Sequence, residues 1–251
     1  MTRPITGLKP SQPITLYVFG PGFDLPDVSP YCMKAEMQLQ MAGLPYQKDL
    51  AGFPQAPKGK LPYIKDGDAV IADSTFIRQH IEWSYGVDFD AGYDLQQRAF
   101  AWSVERMLED HLGWVATKYR WLDPVNFAKG PAHFFDGAPE PIREKLRNDT
   151  VAEVKQRMIG HGIGRHSEED VLFLGTRSLY SFSQLLGDKP YLLGDRPCGA
   201  DATACGMIAS IMTPFFETDL RKAAESCGNL RPYVDRMFSR FYPEFGAAKA
   251  A

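Results

Sequence analysis

Three short stretches of the sequence hold side chains able to do chemistry together. Ser29-Pro30-Tyr31-Cys32 sets a hydroxyl just before a proline, with a thiol three residues on. Ser can cap the free N–H groups of a helix, and Pro suits the first helical position. A Ser hydroxyl cannot exchange thiol for disulfide. It can donate a hydrogen bond to a thiolate, and a helix N-terminus adds to that stabilisation. A hydrogen bond to a charged partner contributes roughly 1.5–3 kcal/mol. At about 1.36 kcal/mol per unit, this lowers a thiol pKa of about 8.5 by about one to two units. The plainer role open to Ser29 is a helix cap alone. Cys32, one turn in, is either a packed core thiol or a residual redox thiol, and the second needs a lowered pKa.

The second stretch is Gly59-Lys60-Leu61-Pro62-Tyr63-Ile64, a proline at the entry to a strand. The third, Ala72-Asp73-Ser74-Thr75, opens a helix. A helix start carrying a hydroxyl binds a carboxylate, and an Asp carboxylate beside it pairs with an ammonium. Simple capping explains the same residues without a ligand. His161 and His166 flank a Gly-rich segment, but no second ligand pair has usable spacing. An interhelical turn is the better reading, and no metal site is expected.

The elements that must position these residues follow from start and stop signals. Residues 14–19 are β-branched and aromatic and end at Gly20-Pro21-Gly22, which reads as a buried strand stopped by a turn. A helix opens at Ser29-Pro30 and stops at Gly43-Leu44-Pro45. Tyr46 to Asp49 forms a short strand. Residues 61–65 and 69–71 form a hairpin about Asp66-Gly67-Asp68. A helix begins at Asp73. The order β-α-β-(short element)-β-β-α is the thioredoxin-like one, with its last two strands antiparallel neighbours.

Residues 87–93 read as a linker, after which the pattern is helical only. A long helix runs from Asp94 to about Trp121, and Pro124 to Pro141 is loop-rich. Helices follow over Ile142–Ile159 and from a capping-box-like Ser167-Glu168-Glu169-Asp170 to Leu186. Gly199 to Thr213 is apolar on all sides, the mark of a central buried helix, with Asp201 at its capping-box position after Cys198. Two shorter helices, near 218–225 and 230–241, complete a division into residues 1–86 and 94–251.

The 251 residues carry 28 Lys and Arg against 31 Asp and Glu, a net charge of −3, with no long basic run. That pattern gives a nucleic-acid surface little support. No stretch reaches the roughly 20 apolar residues of a membrane helix, so membrane insertion is not expected. Met1 to Pro13 lacks the apolar segment of a signal peptide. The four cysteines form no CxxC pair, which suits reduced thiols and a cytoplasmic location.

Ser29-Pro30-Tyr31-Cys32 resembles the glutaredoxin Cys-Pro-Tyr-Cys site with Ser in place of the nucleophilic Cys. Found in order with the Pro62 and Asp73-Ser74 stretches, it resembles the glutathione transferase superfamily. The resemblance implies a thioredoxin-like domain followed by an all-helical domain. It also implies a cis peptide before Pro62 and glutathione as cosubstrate. In this reading Lys60, Leu61 and Pro62 sit along the cysteinyl part, and Asp73 and Ser74 hold the γ-glutamyl end. Ser29 would activate the thiol, Tyr17 being the alternative by analogy with Tyr-type transferases.

A small hydrophobic electrophile would lie against aromatic residues such as Trp114, Tyr119, Trp121, Phe127, Phe134, Phe135, Phe215 and Phe216. Each of these can equally be core. A homodimer is the usual assembly. Asp27 to Glu36, Arg165-His166-Ser167-Glu168-Glu169 and Leu185 to Pro190 are similar to the failed axon connections branch, related to metaxins. That branch does not guarantee catalysis, so a binding or interaction module without turnover is the second expectation. Thiol–disulfide chemistry through Cys32 is the third.

Overall fold

Strand β1 (Ile14–Tyr17) alternates buried and half-buried side chains, so Ile14 and Leu16 face a core and Tyr17 turns to the opposite face. The strand lies in a computed structural model that describes residues 10 and 12–245. The expectation for the first thirteen residues therefore falls largely outside the described part. β2 (Tyr46–Asp49) runs parallel to β1, and β3 (Tyr63–Asp66) and β4 (Ala69–Ala72) are antiparallel, in the order β2-β1-β3-β4. A parallel pair needs a crossover. Helix α1 (Pro30–Met41) supplies it, and α2 (Ser74–Tyr85) packs on the same side. The thioredoxin-like arrangement is present.

α1 is buried on two sides. Cys32, Ala35 and Leu39 join the sheet core with Leu16 and Ile64, while Met33 and Met37 join the helical core. These two sets lie on different faces at helical spacing. The helix facing the second set is α8 (Gly199–Met212), every residue of which is buried. Their approach is close: a Cβ added at Gly206 would sit 2.6 Å from the Pro30 carbonyl oxygen. Only glycine lets α8 press against the first turn of α1.

The rest of the helical part comprises α3 (Leu95–Arg106), α4 (Gly113–Trp121), α5 (Pro124–Lys129), α6 (Glu140–His161), α7 (Glu168–Leu186), α9 (Asp219–Glu225) and α10 (Leu230–Phe241). α3 starts with a complete capping box between Asp94 and Gln97. The expected long helix contains one π turn, Met107–Leu112, which joins α3 to α4. The stretch expected as loop-rich is mostly short helix: Asp123 caps α5, Pro124 takes its first position, and a 3₁₀ segment spans Pro131–Phe135. At the start of α8, the buried Asp201 carboxylate accepts from the Leu192 N–H (2.9 Å), the Cys198 N–H (2.8 Å) and the Tyr233 hydroxyl (2.9 Å). Cys198 and Asp201 form the capping box expected here, the carboxylate making the stronger contact, to the Cys198 N–H.

Charge is buried where the two parts meet. Lys34 of α1, 1 % exposed, donates to Glu105 (2.7 Å) and Glu109 (2.6 Å). Arg78 of α2 pairs with Glu105, Asp90 and Glu82. Asp90 in turn accepts from the Gly199 N–H, and Glu109 from the Thr203 hydroxyl. α1, α2, α3 and α8 are thus held by one polar network.

Candidate functional site

β1 ends beside the starting point of β3, which in turn lies beside the end of β4: Tyr17 faces Tyr63, and Tyr63 faces Ala72. This register brings the β1–α1 loop, the Pro62 stretch and the Asp73-Ser74 stretch to one end of the sheet. Ser29 caps α1, its Oγ accepting from the Cys32 N–H at 3.4 Å. The acceptor role leaves the hydroxyl hydrogen to be given to another partner. The Leu61–Pro62 peptide is cis, and the Pro62 carbonyl accepts from the Asp73 N–H at 3.3 Å. Leu61 and Pro62 are buried and Lys60 is exposed.

Asp73 is the N-cap of α2, accepting from the Thr75 N–H at 3.0 Å. Its φ of 85° lies in the region that favours glycine. Such a conformation costs of order 1–3 kcal/mol and clusters at ligand sites. Asp73 is exposed and Ser74 is buried. The Asp73 charge reaches Tyr31 of α1, where burial first, then Glu109, Asp110 and Asp73, push the phenol up.

Tyr17 and Cys32 stand differently. Tyr17 stacks on Tyr63 at 4.0 Å, on the sheet face away from α1. Cys32 is fully buried, and burial followed by the nearby Asp27 pushes its thiol well above the usual value. That is the environment of an inert core thiol, not of a reactive one.

Asp27 is a site residue that the sequence reading missed. Its buried carboxylate accepts from the Gly20 N–H (2.7 Å) and the Ser29 N–H (2.8 Å), fixing the loop that carries Ser29. An Asp bonding the N–H two residues on is an Asx turn, and that spacing was the available signal. Burial pushes its carboxyl up to about 7, against the two backbone bonds and with Glu36 adding to the rise. A raised folded value gives stability that is complete below the ordinary 3.8 and is lost as pH rises through about 7. Urea melts of wild type between about pH 5 and pH 8 should show that loss, and Asp27→Asn should flatten it. Parallel pH profiles would contradict it.

Above this loop lies an aromatic cluster. Phe23 meets Phe134, Phe215 and Phe216 at centroid distances of 5.7, 4.9 and 5.0 Å, and Phe19 meets Phe53 at 5.7 Å and Phe134 at 6.1 Å. Trp121 contacts Phe127 and Phe134. Of the aromatics expected from the sequence, these five (121, 127, 134, 215 and 216) are assembled. Trp114 packs instead against His161, the rings tilted at a centroid distance of 4.9 Å, and Tyr119 lines a small cleft that borders the cluster at Phe216. His161 faces the Asp110 carbonyl at 3.1 Å.

The comparisons agree with this arrangement. Family models for the glutathione S-transferase N-terminal domain and C-terminal domain match residues 30–126 and 175–237. The first match begins just after Ser29. An isoprene-epoxide–glutathione S-transferase of Rhodococcus sp. is 33 % identical over 197 residues, covering 76 % of this chain and 83 % of that protein. Failed axon connections of Drosophila melanogaster is 31 % identical over 245 residues; the match covers 92 % of this chain but only 59 % of that protein. Human metaxin-2 is 24 % identical over 215 residues, 84 % of this chain and 81 % of that protein.

The fold is shared with the β-etherase LigF of Sphingobium sp. (TM-score 0.65, 17 % identity, 93 % and 98 % covered). It is also shared with a Methylobacterium radiotolerans glutathione S-transferase in complex with glutathione sulfonate (TM-score 0.59, 20 % identity, 95 % and 97 % covered). With its thioredoxin-like sheet, all-helical remainder and these relatives, the chain belongs to the glutathione S-transferase superfamily, and within it is similar to Failed axon connections and metaxin-2.

Proposed function

We propose that this chain binds glutathione and that Ser29 activates the bound thiol for attack on a small hydrophobic electrophile. The observation that carries this reading is the meeting, at one end of the sheet, of the Ser29 cap, the cis Leu61–Pro62 peptide and the strained Asp73. Residues 1–86 would hold glutathione, along Lys60, Leu61 and Pro62 and against Asp73 and Ser74. Residues 94–251 would hold the electrophile. The aromatic cluster over the β1–α1 loop suits an apolar partner. The Rhodococcus relative, whose name gives isoprene epoxide and glutathione, supports the same class of reaction.

Two exposed tryptophans, Trp83 of α2 (70 %) and Trp102 of α3 (50 %), favour a homodimer, since large exposed apolar groups mark interaction surfaces. No helix among the described residues is long and apolar enough to cross a membrane. Four buried, free cysteines suit the cytoplasm. A plant metaxin relative named as a mitochondrial outer membrane import complex protein makes a binding module without turnover the second reading.

The γ-glutamyl contact can be tested alone. Asp73→Asn should weaken glutathione by about 1.5–3 kcal/mol, the loss of one charge-assisted contact. Calorimetric titration of both proteins checks this. Equal affinities, or a wild type that does not bind, would remove the assignment.

A further inference from the structure

The peptide that joins Val28 to Ser29 is held at both ends. Its N–H, that of Ser29, donates to the Asp27 carboxylate at 2.8 Å. Its carbonyl, that of Val28, accepts from Nη1 of Arg120, also at 2.8 Å. A peptide unit is planar, so holding both groups fixes the plane. That plane sets the φ of Ser29, −106°, and with it the direction in which the side chain leaves the backbone.

The two holds come from different parts of the chain. Asp27 lies in the β1–α1 loop, which closes on itself through the Gly20 N–H to Asp27 and the Val28 N–H to the Gly20 carbonyl. Arg120 comes from the last turn of α4, 92 residues along. Its Nη2 donates to the Ser210 carbonyl at 3.2 Å, near the end of α8, where carbonyls lack a partner within the helix. The guanidinium also lies over the faces of Phe23 (5.4 Å) and Phe216 (5.1 Å).

Arg78 and Arg106 each pair with several carboxylates. Among the described residues Arg120 pairs with none, and burial pushes its guanidinium down to about 10. Burying a cation without a counter-charge is costly. An apolar side chain would avoid that cost. What the planar fork does, and an apolar side chain cannot, is bridge two carbonyls in a fixed geometry.

We propose that Arg120 is a positioning residue for thiol activation: from the helical part of the chain it holds the Val28–Ser29 peptide so that the Ser29 hydroxyl meets the bound thiol. This inference rests on the reading of Ser29 as the activating residue. It makes the thiol site complete only when α4 is packed against the β1–α1 loop.

A double-mutant cycle tests it, using wild type, Ser29→Ala, Arg120→Met and the double variant. The readout is the ionisation of bound glutathione, followed spectroscopically, with kcat and KM for conjugation beside it. Arg120→Met should raise the bound thiol pKa by about one unit, part of the shift assigned to Ser29. Its kcat should fall several-fold below that pH, with KM for glutathione within about twofold of wild type. In the Ser29→Ala background the same substitution should leave the thiol where it is, because no hydroxyl remains to be positioned. A role in packing alone would lower the melting temperature and leave the thiol of the folded protein unmoved. An effect of the Arg120 charge alone would move the thiol equally with and without Ser29.

Should Arg120→Met not fold, Arg120→Gln takes its place in the same cycle, with an amide that stops short of the Val28 carbonyl. If Ser29→Ala moves the thiol while the Arg120 variant keeps the wild-type value, or shifts it equally in both backgrounds, this inference alone is overturned. If Ser29→Ala leaves the thiol unmoved, the Ser29 reading goes and takes this inference with it.

Discussion

Lys34→Met is expected to lower the free energy of unfolding by about 3–5 kcal/mol, the range for removing one partner of a buried ion pair. Lys34 is 1 % exposed and bonds Glu105, 0 % exposed, and Glu109, 6 % exposed. Burial acts to raise the Glu105 carboxyl, but Lys34 and Arg78 beside it outweigh burial and hold it below the usual carboxylate range. Methionine keeps much of the length and the apolar stem and deletes the charge, so two carboxylates remain facing a position that no longer answers them. Arg78 and Arg106 still neighbour Glu105, and the Thr203 hydroxyl still reaches Glu109, which limits the loss. Urea unfolding near neutral pH measures it. The double variant Lys34→Met with Glu109→Gln should recover part of the stability, because it removes one of the two buried carboxylates that lost Lys34, Glu109 being left with Arg106 alone as its cation. A loss below about 1 kcal/mol in the single variant would mean that water reaches this network.

Much of the sheet domain was legible because each boundary carries a local signal. Gly43 ends α1 with φ of 63°, Asp66-Gly67-Asp68 makes the hairpin turn, and Asp73 caps α2. Each acts within a few residues of itself, where sequence patterns are informative. The π turn over Met107–Leu112 left only a slip in apolar spacing, because no residue type enforces it. The short helices after Asp123 were hidden by their Pro and Gly residues, which mark helix starts as readily as loops.

The site was legible in its motifs but not in its surroundings. Ser29, Pro62 and Asp73 each sit at a start signal. Arg120 gains its place from Val28, 92 residues away, and Thr213 reaches the Phe23 carbonyl across 190 residues. Contacts of that range depend on how α4, α8 and the β1–α1 loop pack, and no local pattern encodes them. Phe19 and Phe23 fall in the same class: within the loop they look like isolated apolar residues, and only the fold gathers them under Phe134.

The other large effect concerns Ser29. Ser29→Ala should cut conjugation of glutathione to a generic electrophile by at least about tenfold while binding stays nearly intact, since the lost bond serves the thiolate and not the peptide body. The variant also removes the Oγ cap on the Cys32 N–H. That bond is long at 3.4 Å, so the stability cost should be at the low end of the about 0.5–2 kcal/mol range for caps. Ser29→Cys rebuilds Cys-Pro-Tyr-Cys at a helix N-terminus, where a thiol pKa falls. It should gain disulfide reductase or deglutathionylation activity absent from wild type. If neither variant changes anything but melting temperature, Ser29 is a cap and the chain a binding module.

The most direct measurement is a spectroscopic pH titration of the thiol of glutathione bound to wild type and to Ser29→Ala. With Ser29 as donor, the bound thiol should ionise about one to two units below the free value of about 8.5 in wild type, and return most of that shift in the variant. A bound thiol that ionises at the same pH in both proteins, or glutathione that does not bind wild type at all, would contradict the assignment of Ser29 as the thiol-activating residue.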